Sequence, residues 1–103
     1  MERRREPRQP FFATIELLET QGDVRIQART GDLSLHGCYV DTMNPFPTAS
    51  NVRVTIIHEN TKFTAVGNVA HSQPNVGMGI SFTEIDPEQR KVVMQWLSSV
   101  HGD

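Results

Sequence analysis

Residues 11–29 read FFATIELLETQGDVRIQAR, in which apolar and polar side chains alternate over two short segments. In Phe11–Glu19 the residues Ala13, Ile15 and Leu17 share one face with a period of two, which is typical of a half-buried β-strand. In Val24–Arg29 the residues Val24, Ile26 and Ala28 do the same. The turn-forming residues Gln21, Gly22 and Asp23 lie between the two segments. The sequence therefore predicts an antiparallel hairpin in this part of the chain.

The same kind of pattern continues after the hairpin. A polar loop is predicted from Gly31 to Gly37, and after it we predict four further strands, at Cys38–Thr42, Asn51–His58, Lys62–His71 and Val76–Phe82. Short strands at even spacing with no helix between them favour an antiparallel barrel or sandwich over a parallel sheet.

The pattern changes near the C-terminus. Residues 86–89 (DPEQ) combine a capping residue with proline at the first helical position and glutamine three residues after the cap. Apolar residues then recur at helical spacing: Val93, Trp96, Leu97 and Val100. We predict a helix at about residues 86–100 that packs this stripe on the barrel, with Trp96 in the core.

Length and composition bound the organisation of the chain. With 103 residues, it has room for one compact domain. We divide it into a flexible arginine-rich arm at residues 1–10 and a single barrel domain with its helix at residues 11–103. The lone cysteine, Cys38, forms no internal disulfide, which fits a reducing compartment.

Charge and hydropathy exclude several classes of function. The net charge is −2, and four arginines and two glutamates give residues 1–8 a charge of +2, so the rest of the chain carries −4. This distribution argues against general nucleic-acid binding. There is no apolar run of about 18 residues and no apolar segment near Met1, so we expect a cytoplasmic protein without membrane insertion.

Two short motifs flank the predicted hairpin. Arg4 and Arg8 form an Arg-x-x-x-Arg pair, and residues 32–37 (DLSLHG) form Asp-x-Ser-x-x-Gly. In this order, with two strands between them, the motifs resemble the signature of PilZ domains, a family of bacterial receptors for the second messenger cyclic di-GMP. Residues 77–82 (GMGISF) resemble the last barrel strand of that family, and the resemblance covers nearly the whole chain. It implies an all-β fold with one C-terminal helix, a six-stranded antiparallel Greek-key-like β-barrel of the PilZ split-barrel type.

The resemblance also implies a ligand site and no catalytic residues. Cyclic di-GMP, a ligand and not a cofactor, is expected to contact Arg4, Arg8, Asp32, Ser34 and Gly37. A guanidinium fork can donate two hydrogen bonds to guanine or phosphate acceptors, and a carboxylate can accept from the N1–H and N2–H₂ donors of guanine. Gly37 is expected to permit close ligand approach or an unusual backbone conformation, and Asp32 and Ser34 can also stabilise their own turn.

Five further residues are secondary candidates for the expected ligand site. Arg3 and Arg5 flank Arg4, and in the family additional arginines there accompany an intercalated pair of messengers, so we predict two molecules per chain. His36 is expected to face solvent or make a peripheral contact. At the position of His71, some family members carry an aromatic residue that packs on a guanine. In this chain the parity of His71 with Val69 predicts instead that its side chain points inward and is structural. Gly79, in the glycine-containing strand, completes this secondary set.

The resemblance implies an output through another protein, and two other functions are also compatible with the sequence. By resemblance, the output is a changed contact with an unidentified effector protein that controls motility, adhesion or exopolysaccharide production. One alternative is a PilZ-fold adaptor without useful messenger affinity, and another is a small barrel that binds single-stranded nucleic acid. The histidines and Cys38 lack the paired spacing of a metal site, and no catalytic set is recognisable.

Overall fold

The structure of the chain is a computed structural model that describes residues 8–101, with the backbone alone for the last two. It contains seven strands and one helix. Their bounds are β1 Gln9–Pro10, β2 Thr14–Glu19, β3 Val24–Leu33, β4 Gly37–Asp41, β5 Asn51–His58, β6 Thr61–Gln73, β7 Gly77–Glu84 and α1 Pro87–His101.

Six of these strands form a closed antiparallel barrel. They follow the order β3-β2-β5-β6-β7-β4, and β4 pairs again with β3. The connection from β4 to β5 crosses one end of the barrel to reach β2, which gives the Greek-key-like order. The predicted six-stranded barrel with a C-terminal helix is confirmed.

The seventh strand, β1, lies in line with β2 along the same edge of β3. Gln9 pairs with Leu33, and Pro10 pairs with Asp32. Between β1 and β2 the chain stays attached to β3, because the Phe11 N–H donates to the Gly31 carbonyl oxygen at 3.2 Å. Two residues of the predicted arm therefore pair with the barrel, whereas residues 1–7 lie outside the described residues.

The core consists of the inward side chains of alternating strand positions, closed at one end by the helix. Ile15, Leu17, Val54, Ile56 and Phe63 are among its fully buried members. Trp96 is also buried, as predicted, and its ring stacks on Phe11 with a centroid distance of 5.4 Å. His58 contacts both of these residues, with its ring centroid 4.7 Å from that of Phe11 and 5.5 Å from that of Trp96.

Two irregularities in the strand pairing affect the functional residues. The register shifts between Thr30 and Asp32 in β3, and again between Val69 and His71 in β6. An extra residue in one strand of a pair changes which face the following side chains occupy. In β3 the pairing continues through Leu33, so the predicted loop from Gly31 to Gly37 is wrong in its first three residues.

Thr30 fixes the entry of the chain into the barrel. Its buried hydroxyl donates to the Phe11 carbonyl oxygen and accepts from the Ala13 N–H at 2.9 Å. The break between β1 and β2 removes the Phe11 carbonyl and the Ala13 N–H from regular strand pairing. The Thr30 hydroxyl gives both groups a hydrogen-bond partner, as buried polar groups require.

The helix begins at Pro87, directly after Asp86, within one residue of the predicted start. Its 15 residues bury Val93 and Trp96 against the barrel. Within the part of the chain that the structure describes, no helix is both long enough and apolar enough to cross a membrane.

Candidate functional site

Arg8 and Asp32 lie side by side where β1 pairs with β3. Arg8 Nη1 donates a hydrogen bond to Asp32 Oδ1 at 2.9 Å, and each side chain is 30% exposed. Pro10 lies opposite Asp32 in the ladder, so the short strand holds the segment that carries Arg8 next to the carboxylate. The structure therefore brings together one residue from each of the two sequence motifs.

Ser34 shapes the loop that follows Asp32. The residue is fully buried; its N–H donates to the Gly37 carbonyl oxygen at 2.9 Å, and its Oγ accepts from the His36 N–H at 3.1 Å. Bonds of this kind hold a serine turn in one conformation. Ser34 thus has the turn-stabilising role that the sequence allowed for it.

Gly37 is required by the packing of two strands. A Cβ atom at this position would lie 2.1 Å from the carbonyl oxygen of Ile80 in β7. The backbone of a paired strand cannot move away from such a contact, whereas a flexible side chain could. The structure thus gives a reason for this glycine that differs from both sequence-based reasons, ligand approach and unusual backbone conformation: β4 and β7 approach too closely for a side chain.

Four residues form a line across the outer face of the barrel, from β3 through β4 and β7 to β6. Asp32 pairs with Tyr39, Tyr39 with Gly79, and Gly79 with His71. We call these residues, Asp32, Tyr39, Gly79 and His71, the cross-strand row. Three strand spacings make it about 14 Å long.

Glycines in β7 make room for the rings of this row. A Cβ at Gly79 would lie 2.4 Å from the imidazole of His71, and one at Gly77 would lie 2.7 Å from the ring of Tyr39. The two rings therefore lie close to the strand backbone, with centroids 6.2 Å apart and planes inclined by 31°. Tyr39 belongs to the site geometry although the sequence analysis did not identify it.

The predicted inward orientation of His71 is wrong. Val69 is buried, but Ala70 and His71 are both exposed. The register shift between Val69 and His71 breaks the parity on which the prediction depended, and it turns the imidazole outward over Gly79. The imidazole of His71 therefore lies on the same outer face as the predicted candidates Asp32 and Gly79.

Two further residues from the sequence analysis, His36 and Cys38, lie in the surroundings of the cross-strand row. His36 is exposed in the motif loop, as expected. Cys38 is buried behind the row, and burial, assisted by the negative charge of Asp32, raises the pKa of its thiol from 9.0 to about 12. Such a thiol is a packed core group and not a nucleophile. Arg3, Arg4 and Arg5 lie outside the described residues.

The chemistry available at this face is that of binding. A guanidinium, a carboxylate and two rings lie on one outer surface, where each can reach a ligand of modest size. Among residues 8–101, no group of three or more His, Cys, Asp or Glu side chains is arranged to hold a metal ion. The arrangement suits a planar, polar ligand that also carries negative charge.

The comparison with protein families agrees with this geometry. The model of a family described as "PilZ domain" matches residues 2–99. No curated protein has significant sequence similarity to the chain.

Solved structures reproduce the fold over nearly the whole chain. The PilZ domain of YcgR from Escherichia coli, solved with cyclic di-GMP, is 12% identical, with a TM-score of 0.78 over 97% of this chain and 92% of that one. The PilZ domain of CeSA from a cellulose-synthesizing bacterium is 17% identical, with a TM-score of 0.71 over 92% of this chain and 98% of that one.

The motility inhibitor MotI (DgrA) of Bacillus subtilis is a longer relative in structure. It is 14% identical with a TM-score of 0.77, and the match covers 98% of this chain but 52% of that one. The chain thus spans about half the length of this inhibitor. At these identities the likeness establishes the shared fold.

Proposed function

The chain belongs to the PilZ domain family, and on that premise we propose that it is a cytoplasmic receptor for cyclic di-GMP that relays binding to a protein partner without catalysing a reaction. The family is one of cyclic di-GMP receptors and adaptors. The observation that carries the proposal for this chain is the pairing of Arg8 with Asp32 at 2.9 Å, because it joins the two motifs in one place.

The two charged groups complement different edges of a guanine. The planar fork of Arg8 can donate to O6 and N7 or to a phosphate, and the carboxylate of Asp32 can accept from N1–H and N2–H₂. In the free protein they satisfy each other, so a ligand replaces one ion pair with two sets of charge-assisted hydrogen bonds. This exchange favours a ligand that offers both donors and acceptors, which an inorganic anion does not.

We propose that the rings of the cross-strand row form the apolar contact of the site. His71 lies over Gly79 on the exposed surface, and Tyr39 lies next to it. One guanine of the messenger can stack on such a ring while its other guanine or a phosphate meets Asp32 or Arg8 at the far end of the row. Tyr39 then acts as a positioning residue, since its ring bounds the space that the imidazole can occupy.

The arm supplies the remaining expected contacts. Arg3, Arg4 and Arg5 are proposed to add guanidinium groups for a second messenger molecule, intercalated with the first. An arm that becomes ordered on binding loses conformational entropy, which is subtracted from the affinity. The molar ratio in a titration tests this part separately, because a ratio of one messenger per chain contradicts the paired mode.

The relay requires an effector protein, which controls motility, adhesion or exopolysaccharide production in the function proposed here. Structural neighbours are a motility inhibitor and a cyclic di-GMP-dependent transcription regulatory factor, MrkH. The same barrel is therefore found in proteins with different outputs.

Isothermal titration with cyclic di-GMP tests the proposal on the wild type and on Arg8→Ala in parallel. We expect saturable binding to the wild type and a loss of at least about tenfold in the variant, since hydrogen bonds to charged groups contribute roughly 1.5–3 kcal/mol. Arg53→Ala is the matched control, because it removes an exposed arginine from β5, on the opposite side of the barrel.

GMP serves as the control ligand. Absence of wild-type binding up to about 100 μM, equivalent to roughly −5.5 kcal/mol, contradicts the receptor function and favours the adaptor that keeps the fold without messenger affinity. Equal losses of affinity in Arg8→Ala and Arg53→Ala contradict the assigned site but not the identity of the ligand.

A further inference from the structure

All the lysine and arginine side chains of the six barrel strands lie on one outer face. The strands from β2 to β7 contain four lysines and arginines, and each of them is exposed. We call this set the basic face: Arg25 and Arg29 in β3, Arg53 in β5 and Lys62 in β6. The segregation contrasts with the acidic residues of the barrel, which are found on most strands and turns.

Strand register places these four cations at the corners of a patch. Leu18 in β2 pairs with Arg25 on one side and with Arg53 on the other, so the two arginines are two strand spacings, about 10 Å, apart. Four residues along the strands, a second line crosses the same face from Arg29 to Lys62. The two lines are about 13 Å apart.

None of the four cations forms an ion pair with another residue in the range 8–101. Arg29 lies over the exposed ring of Phe12, with 5.9 Å from its guanidinium carbon to the ring centroid. Elsewhere in this range, Arg8 pairs with Asp32, and Lys91 lies 4.0 Å from Glu88. The basic face therefore presents charges that an external anion can meet without first breaking a bridge.

Aliphatic side chains lie between the cations. Leu18, Ile57 and Val66 point outward from their strands and are half-buried, and they are not among the described residues that form the core or pack against it. Glu16 occupies the middle of the patch, between Gln27 and Thr55. Glu16 repels the phosphates of a nucleic-acid backbone or of anionic lipid headgroups at the centre of the patch, and a nucleic-acid backbone gains nothing from the aliphatic groups.

The basic face has a defined edge. An open groove of about 400 Å³ adjoins Arg53, with Thr55, Thr64 and Val66 on its near side and Glu84 and Asp86 on its far side. The acidic far wall limits the surface in that direction. In the opposite direction Arg29 is followed across the ladder by Asp41. The patch is thus centred on β2 and β5, across the barrel from β4 and β7.

We infer that the basic face binds a protein partner through a segment that combines Asp or Glu with aliphatic side chains. Charge complementarity selects the acidic groups, and the half-buried aliphatic residues select a partner with apolar contacts, which together are typical of a protein interface. The patch is smaller than the roughly 800 Å² that each partner buries in a stable complex. The interaction is therefore of the transient, salt-sensitive class.

Partner binding at the basic face depends on the placement of its charges and not on messenger binding. A ligand on the cross-strand row and a partner on the basic face occupy opposite sides of the barrel, so both can be bound at once. The basic face fits the effector proposed above, but it can bind an acidic partner whether or not cyclic di-GMP binds.

Selection of displayed random peptides on the wild-type domain tests the inference and does not require the partner to be identified first. We expect enriched peptides that contain Asp or Glu together with Leu, Ile or Val. Anisotropy titrations of these peptides are then expected to show a loss of at least about tenfold for Arg25→Glu/Arg53→Glu. The matched control, Arg90→Glu/Lys91→Glu, reverses two exposed charges on α1 and is expected to change affinity less than about twofold.

Several results overturn the inference. These are the failure to select any peptide, enrichment of peptides without acidic residues, and equal losses in the two double variants. The wild type could also bind single-stranded DNA or phosphatidylglycerol vesicles. If Arg25→Glu/Arg53→Glu abolishes that binding and weakens the binding of no peptide, the basic face is assigned to those polyanions instead. Thermal unfolding verifies each fold, and Arg29→Glu/Lys62→Glu replaces the first variant if that variant does not fold.

Discussion

On the cross-strand row the polar and aromatic groups are held by neighbours, whereas the basic face presents cations without ion-pair partners among residues 8–101. Asp32 is fixed by Arg8, and His71 lies against the backbone at Gly79. Arg25 and Arg53 extend on either side of Leu18 with no such support. The barrel thus has one preorganised surface and one adaptable surface.

The difference indicates two kinds of recognition. Groups held in place before binding lose little freedom when a rigid ligand arrives, which favours a small molecule of fixed shape. Long side chains without partners adjust to a surface that varies, and their attraction falls with salt. The two surfaces therefore match the two functions proposed above, a small-molecule ligand site and a protein contact.

The largest effect is expected where the cross-strand row depends on close strand contact. Gly37→Ala places a Cβ 2.1 Å from the Ile80 carbonyl oxygen, so β4 and β7 must separate. We expect a loss of about 3 kcal/mol in the free energy of unfolding, the upper end for overpacking, measured by urea denaturation. Gly31→Ala is the control, because its Cβ meets only the movable Asp41 carboxylate at 3.3 Å; equal losses contradict the strand-packing reason.

A smaller effect concerns the core behind the row. Burial, with a contribution from Asp32, raises the pKa of Cys38 to about 12, so the folded protein keeps the thiol proton that the unfolded chain releases near 9. Stability from this group is complete below pH 9 and is lost as the pH rises from 9 towards 12. Between pH 8 and 10 we expect the wild type to lose about 1 kcal/mol more than Cys38→Ala.

Parallel unfolding curves of the two proteins at each pH provide the measurement. The difference between them removes the contributions of other groups that titrate in the same range. A constant difference from pH 8 to 10 shows that the thiol is not protected behind the row.

The smallest effect is expected at the exposed end of the row. His71→Ala removes the ring over Gly79, and we expect cyclic di-GMP to bind two- to fivefold more weakly, in keeping with roughly 0.5–1 kcal/mol for one ring contact. Thr64→Ala truncates an exposed side chain at the other end of β6 and is expected to leave the affinity unchanged. If the two variants have the same affinity in the titration, His71 is no part of the proposed platform.

Most of the barrel could be predicted from the sequence because its signals are local. Alternation over Phe11–Glu19 and Val24–Arg29 identified the first hairpin, and residues 86–89 identified the start of the helix within one residue. The break between β1 and β2 was not predictable in this way. It depends on the Thr30 hydroxyl, which meets backbone groups from a different strand.

The site was less accessible to sequence reasoning because it depends on bulges and on pairing between distant strands. Parity alone turned His71 inward, and only the register shift after Val69 reverses that orientation. Tyr39 had a usable signal, since it alternates with the apolar residues Cys38 and Val40 and must face outward. Its position beside His71 nevertheless requires the contact of β4 with β7, which no local pattern encodes.

Phe11 follows Arg8 by three residues, and its ring stacks on Trp96, the sole tryptophan of the chain. A displacement of Arg8 that pulls on Gln9 and Pro10 therefore changes the surroundings of the indole. Intrinsic fluorescence consequently offers a label-free optical reading of events at the proposed ligand site, with the emission of one buried ring recording any movement of a guanidinium at the surface.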